Sequence, residues 1–153
     1  MDVLTAQIES FAQQIEEMKP LFPKHYEDLS LHKGRHELMP NYGLALQREE
    51  KGELLLATLR KNGELIGYFL GVVAPGAHYQ TCLTLIMDMF FIDPNHRGGT
   101  GALRLFRCVE REARRRGVHL WFAGSKLHKD TGRLFRAIGM TQVEAYYAKW
   151  LDN

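Results

Sequence analysis

The chain has 153 residues, with 45% apolar and 25% charged side chains and 20 Lys+Arg against 18 Asp+Glu. These globular averages exclude wholesale disorder, collagen-like sequence and coiled coil, and a net charge of +2 does not by itself argue for nucleic acid. Two cysteines, Cys82 and Cys108, exclude a disulfide scaffold or a cysteine-built zinc site. The length suits one domain over residues 1–153, burying roughly 68–70% of its unfolded surface. The opening Met1–Gln14 carries Asp2 and Glu9 and lacks a continuous apolar core, so no leader or membrane anchor is expected. A reducing, cytoplasmic setting follows.

Leu4, Ile8, Phe11, Ile15 and Met18 recur in steps of four and three, which predicts a helix ended by Pro20 and Pro23. Lys24–Leu31 is read as a second short helix and Lys33–Gly43 as loop. Leu44–Arg48 and Glu53–Arg60 read as strands around the turn Glu50-Lys51-Gly52. Asn62-Gly63 is a strong hairpin signal and leads into a strand over Glu64–Val73, broken by Pro75-Gly76. Cys82–Ile92 is the most apolar strand and stops at Asp93-Pro94.

The second half alternates differently. Thr100–Arg116 is predicted helical, with Leu103, Phe106, Val109 and Ala113 on one face. Val118–Ala123 reads as a strand, Thr131–Ile138 as a short helix stopped by Gly139, and Gln142–Leu151 as a final strand or strand pair. The expected fold is α/β (α+β): a central, mixed, mostly antiparallel sheet with helices on both faces.

The most informative segment runs from the central strand through Asp93-Pro94-Asn95-His96-Arg97-Gly98-Gly99-Thr100-Gly101-Ala102 into an amphipathic helix. Strand, glycine turn and helix N-terminus together present free backbone N–H groups and a positive dipole end to one point, which suits phosphate. No Lys-Ser/Thr follows the last glycine, which excludes a P-loop of the triphosphatase type. The spacing of Gly98, Gly99 and Gly101, after antiparallel hairpins, does not fit the dinucleotide fingerprint either.

The segment resembles motif A of the GNAT superfamily of acyl-CoA-dependent N-acetyltransferases, Gln/Arg-x-x-Gly-x-Gly/Ala after the central strand. Either His96 or Arg97 supplies its leading residue. Phe135-Arg136-Ala137-Ile138-Gly139-Met140 is similar to the end of motif B, with Phe135 in place of its tyrosine. Arg97-Gly98-Gly99 and His128-Lys129-Asp130-Thr131-Gly132 also look similar to small bacteriophage proteins of the superfamily, which would place the chain in a host cytoplasm.

The resemblance implies acetyl transfer from acetyl-CoA, as cosubstrate, to a primary amine on a small molecule or protein. Gly98, Gly99, Thr100, Gly101 and Ala102, with His96 and Arg97, would hold the pyrophosphate, and the backbone of Phe91 and Ile92 the pantetheine arm. His128 falls where relatives carry a motif B asparagine and would bind CoA or shuttle a proton; Lys129 could meet the 3′-phosphate. Asp88, the one carboxylate in its apolar strand, is the candidate general base.

Phe135 cannot donate a proton, so the candidate general acid moves to Tyr146, ahead of Tyr147; strand alternation sends one of the two inward. Cys82 and Cys108 have no evident activating base, which favours direct attack over an acyl-enzyme. Two rival readings stand beside this one: a catalytically reduced CoA-binding or structural module, and an anion- or nucleic-acid-binding protein using Arg104, Arg107, Arg111, Arg114, Arg115 and Arg116. Nucleic acid and membrane are not expected as partners, and a homodimer is admitted. His32 and His36 have helical metal spacing, but Gly34 sits between them and no acidic residue follows His32, so no metal site is predicted.

Overall fold

A computed structural model describes residues 1–30 and 34–152. The end of the expected Lys24–Leu31 helix, the start of the Lys33–Gly43 loop and His32 of the histidine pair lie outside the described residues. The elements, in chain order, are β1 (Leu4–Ile8), α1 (Phe11–Met18), α2 (Leu21–Leu29), α3 (Tyr42–Glu50), β2 (Leu54–Lys61), β3 (Glu64–Pro75), β4 (Leu83–Ile92), α4 (Gly101–Arg115), β5 (Leu120–Phe122) and α5 (Gly132–Ala137). The five strands form one sheet in sequential order. Its first three junctions are antiparallel and β4–β5 is parallel.

The β2–β3 hairpin follows from Asn62-Gly63. Both residues sit at positive φ, 52° and 85°, the conformation a type I′ turn requires. The sheet is covered on both faces. Leu55, Ala57, Leu59, Phe69, Leu85, Leu105, Phe106, Val109 and Phe135 form the cluster beneath α4 and α5. Phe11, Met18, Leu21, Phe22, Leu56, Tyr68 and Phe91 form the cluster beneath α1 and α2. Burial of these two faces is the main driving force for the fold. Among the described residues no helix is long and apolar enough to cross a membrane.

Three expectations are corrected. The helix expected from Leu4 to Met18 is a strand followed by a helix. Leu4 and Ala6 pack on the α4 side of the sheet, while Phe11 and Met18 pack on the other. The apparent 3–4 stripe therefore joins residues of two different faces. Leu44–Arg48 is helical rather than a strand: the Asn41 side chain accepts a hydrogen bond from the Leu44 N–H at 3.0 Å and caps α3. Its Leu-Ala-Leu-Gln-Arg-Glu-Glu run is built of strong helix formers. The strand expected over Gln142–Leu151 is absent: residues 141–152 lie in no regular element and are exposed throughout.

Candidate active site

The glycine turn lies where β4 ends. Asp93 is buried there, accepting from the Asn95 N–H at 3.0 Å and from Lys24 Nζ at 3.1 Å. Burial alone would raise its carboxyl; the Asn95 N–H and Lys24 outweigh that and hold it below the usual range. A single 3₁₀ turn over Pro94–His96 then delivers the chain to Gly98, whose φ of 97° is left-handed.

Helix α4 begins without a side-chain cap, and its first bond is Arg104 N–H to the Thr100 carbonyl at 2.9 Å. The N–H groups of Gly101, Ala102 and Leu103 precede that bond and have no helical acceptor. The glycines here have separate reasons. A Cβ on Gly99 would meet nothing within 4 Å, whereas one on Gly101 would lie 2.8 Å from Leu59 Cδ2. Gly101 lets α4 approach β2; Gly98 and Gly99 leave the amides open to an anion.

Of the two candidate leading residues, Arg97 has its donors engaged. Its Nε donates to the Ile92 carbonyl at 2.7 Å, a terminal nitrogen donates to Asp28 at 2.6 Å, and the guanidinium lies 5.5 Å from the centre of the Phe91 ring. This hydrogen bond, followed by that of Lys129, holds the Asp28 carboxyl below the usual range. The His96 Nδ1 is buried and has no partner among the described residues.

Beyond Ile86 the sheet opens. β5 pairs with β4 only at Thr84–Ile86, so from Met87 onward β4 has no strand neighbour on that side. At the same place β4 carries a bulge: Leu70 pairs with Met89 and Gly71 with Met87, leaving Asp88 as the extra residue. Asp88 is exposed, and it lines a cleft of about 470 Å³ between α2, β4 and the β5–α5 loop, together with His25, Phe90, Lys126 and Lys129. A larger recess of about 600 Å³, beside Glu9, Glu49 and Arg116, sits at the far end of α4, away from the glycine turn.

The cleft holds one feature that sequence reasoning missed. His25 Nδ1 lies 2.7 Å from the hydroxyl of fully buried Tyr68, and its ring stacks on Phe91 at 4.9 Å. Burial, assisted by the positive field of Lys126, lowers His25 from 6.5 to about 4, so the imidazole is neutral near pH 7. Burial also pushes the Tyr68 hydroxyl well above its usual range. His128 is exposed at the rim, its Nε2 2.9 Å from the Leu29 carbonyl, and Lys129 pairs with Asp28 at 3.4 Å. That loop is thereby tied to the end of α2.

The tyrosine expectation fails. Tyr146 and Tyr147 are 87% and 96% exposed, so neither points inward; without a strand there is no alternation to turn one of them. Phe135 is buried against Phe106, with ring centroids 5.6 Å apart. The arginines of α4 are in part paired within the chain. Arg115 and Arg116 bond Glu112, Arg116 also bonds the Leu54 carbonyl at 2.7 Å, and Arg104 bonds Thr100 at 3.1 Å. Among the described residues no group of three His, Cys, Asp or Glu is arranged to hold a metal ion.

The model of the Acetyltransferase (GNAT) family matches residues 12–140, most of the chain and every element from α1 to α5. The chain belongs to the GNAT acetyltransferase family. No curated protein sequence matches it. Among solved structures, the ribosomal-protein-alanine N-acetyltransferase from Brucella melitensis biovar Abortus 2308 is similar with a TM-score of 0.72 at 16% identity, covering 98% of this chain and 100% of that one. A transcriptional regulator from Bacillus halodurans C-125 gives 0.75 at 17% identity, covering 97% and 100%. AAC(6')-Iy, in complex with the bisubstrate analogue CoA-S-monomethyl-acetylneamine, gives 0.72 at 15% identity, covering 97% and 99%. At these identities the shared property is the GNAT fold.

Proposed function

We propose that this GNAT chain transfers an acetyl group from acetyl-CoA to a primary amine, on a small molecule or a protein, by direct attack of the amine on the thioester. The observation that carries the reading is the continuous path formed by the unpartnered edge of β4 from Met87 to Ile92 and the uncapped N-terminus of α4 behind Gly98-Gly99. A long ligand with an extended amide-bearing arm and a phosphate-rich end matches both parts.

In this reading the amides of Gly98, Gly99, Thr100, Gly101 and Ala102 hold the pyrophosphate, supported by the helix dipole. The buried, unpartnered Nδ1 of His96 makes it the better candidate than Arg97 for a further contact. Backbone groups of Phe91 and Ile92 bond the arm, since both side chains are buried in the core.

Asp88, set by the bulge at the head of that edge, takes the proton from the acceptor ammonium directly or through one water. The amine nitrogen then forms its bond to the acyl carbon as the carbon–sulfur bond breaks. The departing thiolate takes its proton from solvent, since Tyr146 and Tyr147 are exposed and Tyr26, which lines the cleft, donates its hydroxyl to the His36 carbonyl. His128 anchors the rim of the cofactor side through Leu29 and keeps its other nitrogen for ligand or proton. The neighbours named for a ribosomal-protein alanine and for acetylneamine support both a protein amine and a small cationic amine as acceptors.

Titration calorimetry with acetyl-CoA tests the reading, with Gly99→Glu as the control. The wild type should bind, and the variant should lose binding while melting at the same temperature, because space beyond Gly99 is open. Equal affinity for both would remove the pyrophosphate assignment. Asp88→Asn should lower turnover on an amine panel by on the order of 10²–10⁴ with acetyl-CoA affinity unchanged. Binding without turnover in the wild type would favour a catalytically reduced module, for which Phe135 in the motif B tyrosine position is the supporting observation.

A further inference from the structure

His25 is a polar group in a largely apolar wall of the cleft, and the reaction described above leaves it without a task. It stands on α2 between Phe22 and Leu29, and all three line the cleft together with Met89 and Phe90 of β4. Its ring stacks on that of Phe91, 4.9 Å away with 13° between the planes, so the imidazole is held flat over the strand.

The two ring nitrogens have different surroundings. Nδ1 lies 2.7 Å from the Tyr68 hydroxyl, which is fully buried and has no other hydrogen-bond partner among the described residues. A buried O–H that did not donate to Nδ1 would be left unsatisfied, so the hydroxyl donates and Nδ1 accepts. A neutral imidazole then carries its hydrogen on Nε2. That nitrogen has no partner among the described residues, yet the buried side-chain atoms without one are His96 Nδ1 and Trp121 Nε1. The Nε2–H is therefore open to the cleft, as a donor and not as a base.

We propose that His25 donates this hydrogen to the thioester carbonyl oxygen of bound acetyl-CoA and holds the oxyanion that forms when the amine attacks. The inference rests on the acetyl transfer proposed above. Of the two reacting groups, an ammonium offers an N–H donor nothing to bond, whereas the thioester oxygen accepts. As the amine nitrogen bonds to the acyl carbon, the C=O electron pair moves to oxygen and its hydrogen bond strengthens. As the carbon–sulfur bond breaks, that pair returns and the thiolate leaves; His25 keeps its proton throughout. Burial keeps the ring uncharged near pH 7, so it does not repel a cationic acceptor. The apolar Phe22, Leu29 and Leu38 around it strengthen a bond to developing charge. The position also suits: the ring lies over Phe91, whose backbone is assigned to the arm, and Asp88 lines the same cleft.

The test reads the bond without needing turnover. Acetyl-CoA labelled at its acetyl carbonyl is bound to the full chain, and its thioester band is measured by isotope-edited infrared spectroscopy. The band should lie at lower frequency in the wild type than in His25→Phe/Tyr68→Phe, which keeps an aromatic ring over Phe91 and leaves no orphan hydroxyl. In nitrogen-edited NMR of the wild type, which needs no variant, the His25 proton should sit on Nε2, and that signal should move with acetyl-CoA but not with CoA. Turnover on the amine panel should fall by on the order of 10²–10³-fold in the double variant, with CoA affinity unchanged. A proton on Nδ1, an Nε2 signal that CoA moves equally, unchanged turnover, or one thioester frequency in both proteins overturns the proposal. A chain that binds no acetyl-CoA in calorimetry overturns the function proposed above and this inference with it; one that binds it with an unshifted band overturns this inference alone.

Discussion

Lowering the pH from 7 to 5 should destabilise this protein through one histidine. The folded-state value of His25, about 4, lies below its ordinary 6.5, so between these limits the unfolded chain binds the proton more readily. The stabilisation is therefore present in full above pH 6.5 and is lost as the pH falls toward 4. Linkage between those two values gives a loss of about 2 kcal/mol from pH 7 to pH 5, an upper value because the ring is only part-buried and partly screened. In a chain of this size that corresponds to about 4–8 °C in melting temperature.

The assay is urea unfolding of the wild type and of His25→Asn at both pH values. Carboxylates held low, such as Asp28 and Asp93, also lose stability in acid, but they do so in both proteins and cancel in the difference. The variant gives up the 2.7 Å contact with Tyr68 and is less stable at pH 7, yet it should be flatter between pH 7 and 5. Equal slopes in the two proteins would refute the assignment of a neutral, desolvated imidazole.

Gly101→Ala should lose about 1–3 kcal/mol in urea unfolding, because its Cβ would press on Leu59, while Gly99→Ala should stay close to the wild type; similar losses at both would contradict the separate roles. Glu49→Ala should cost about 1–2 kcal/mol, since this α3 carboxylate accepts from the Phe11 and Ala12 N–H groups at 2.6 and 3.0 Å and so caps α1 from outside; unchanged stability would exclude that capping role.

What could be read from the sequence was local. The β2–β3 hairpin was legible because Asn62-Gly63 encodes its own turn, and α4 because its apolar face and the preceding glycines fall within 20 residues or so of one another. The glycine turn was legible as the break between β4 and α4 for the same reason. The Leu4–Met18 stripe misled because spacing alone cannot say which face of a sheet a side chain will meet. α3 carried a usable signal, Asn41 ahead of a run of helix formers, that the apolar alternation of Leu44 and Leu46 concealed.

His25–Tyr68 and Asp28–Arg97 were beyond reach, being contacts across 43 and 69 residues made only when α2 lies over the sheet. The Gln142–Leu151 pattern misled, since alternation in sequence does not supply the neighbouring strand that a strand needs.

Asp28 has a consequence larger than its two ion pairs. Through Arg97 it fastens α2 to the end of β4, and through Lys129 it fastens the same helix to the loop before α5. One carboxylate thus locks together the wall of the cleft, the approach to the glycine turn and its opposite rim. Removing that carboxylate would release Arg97 and Lys129 together, so three segments distant in sequence would lose their common tie at once.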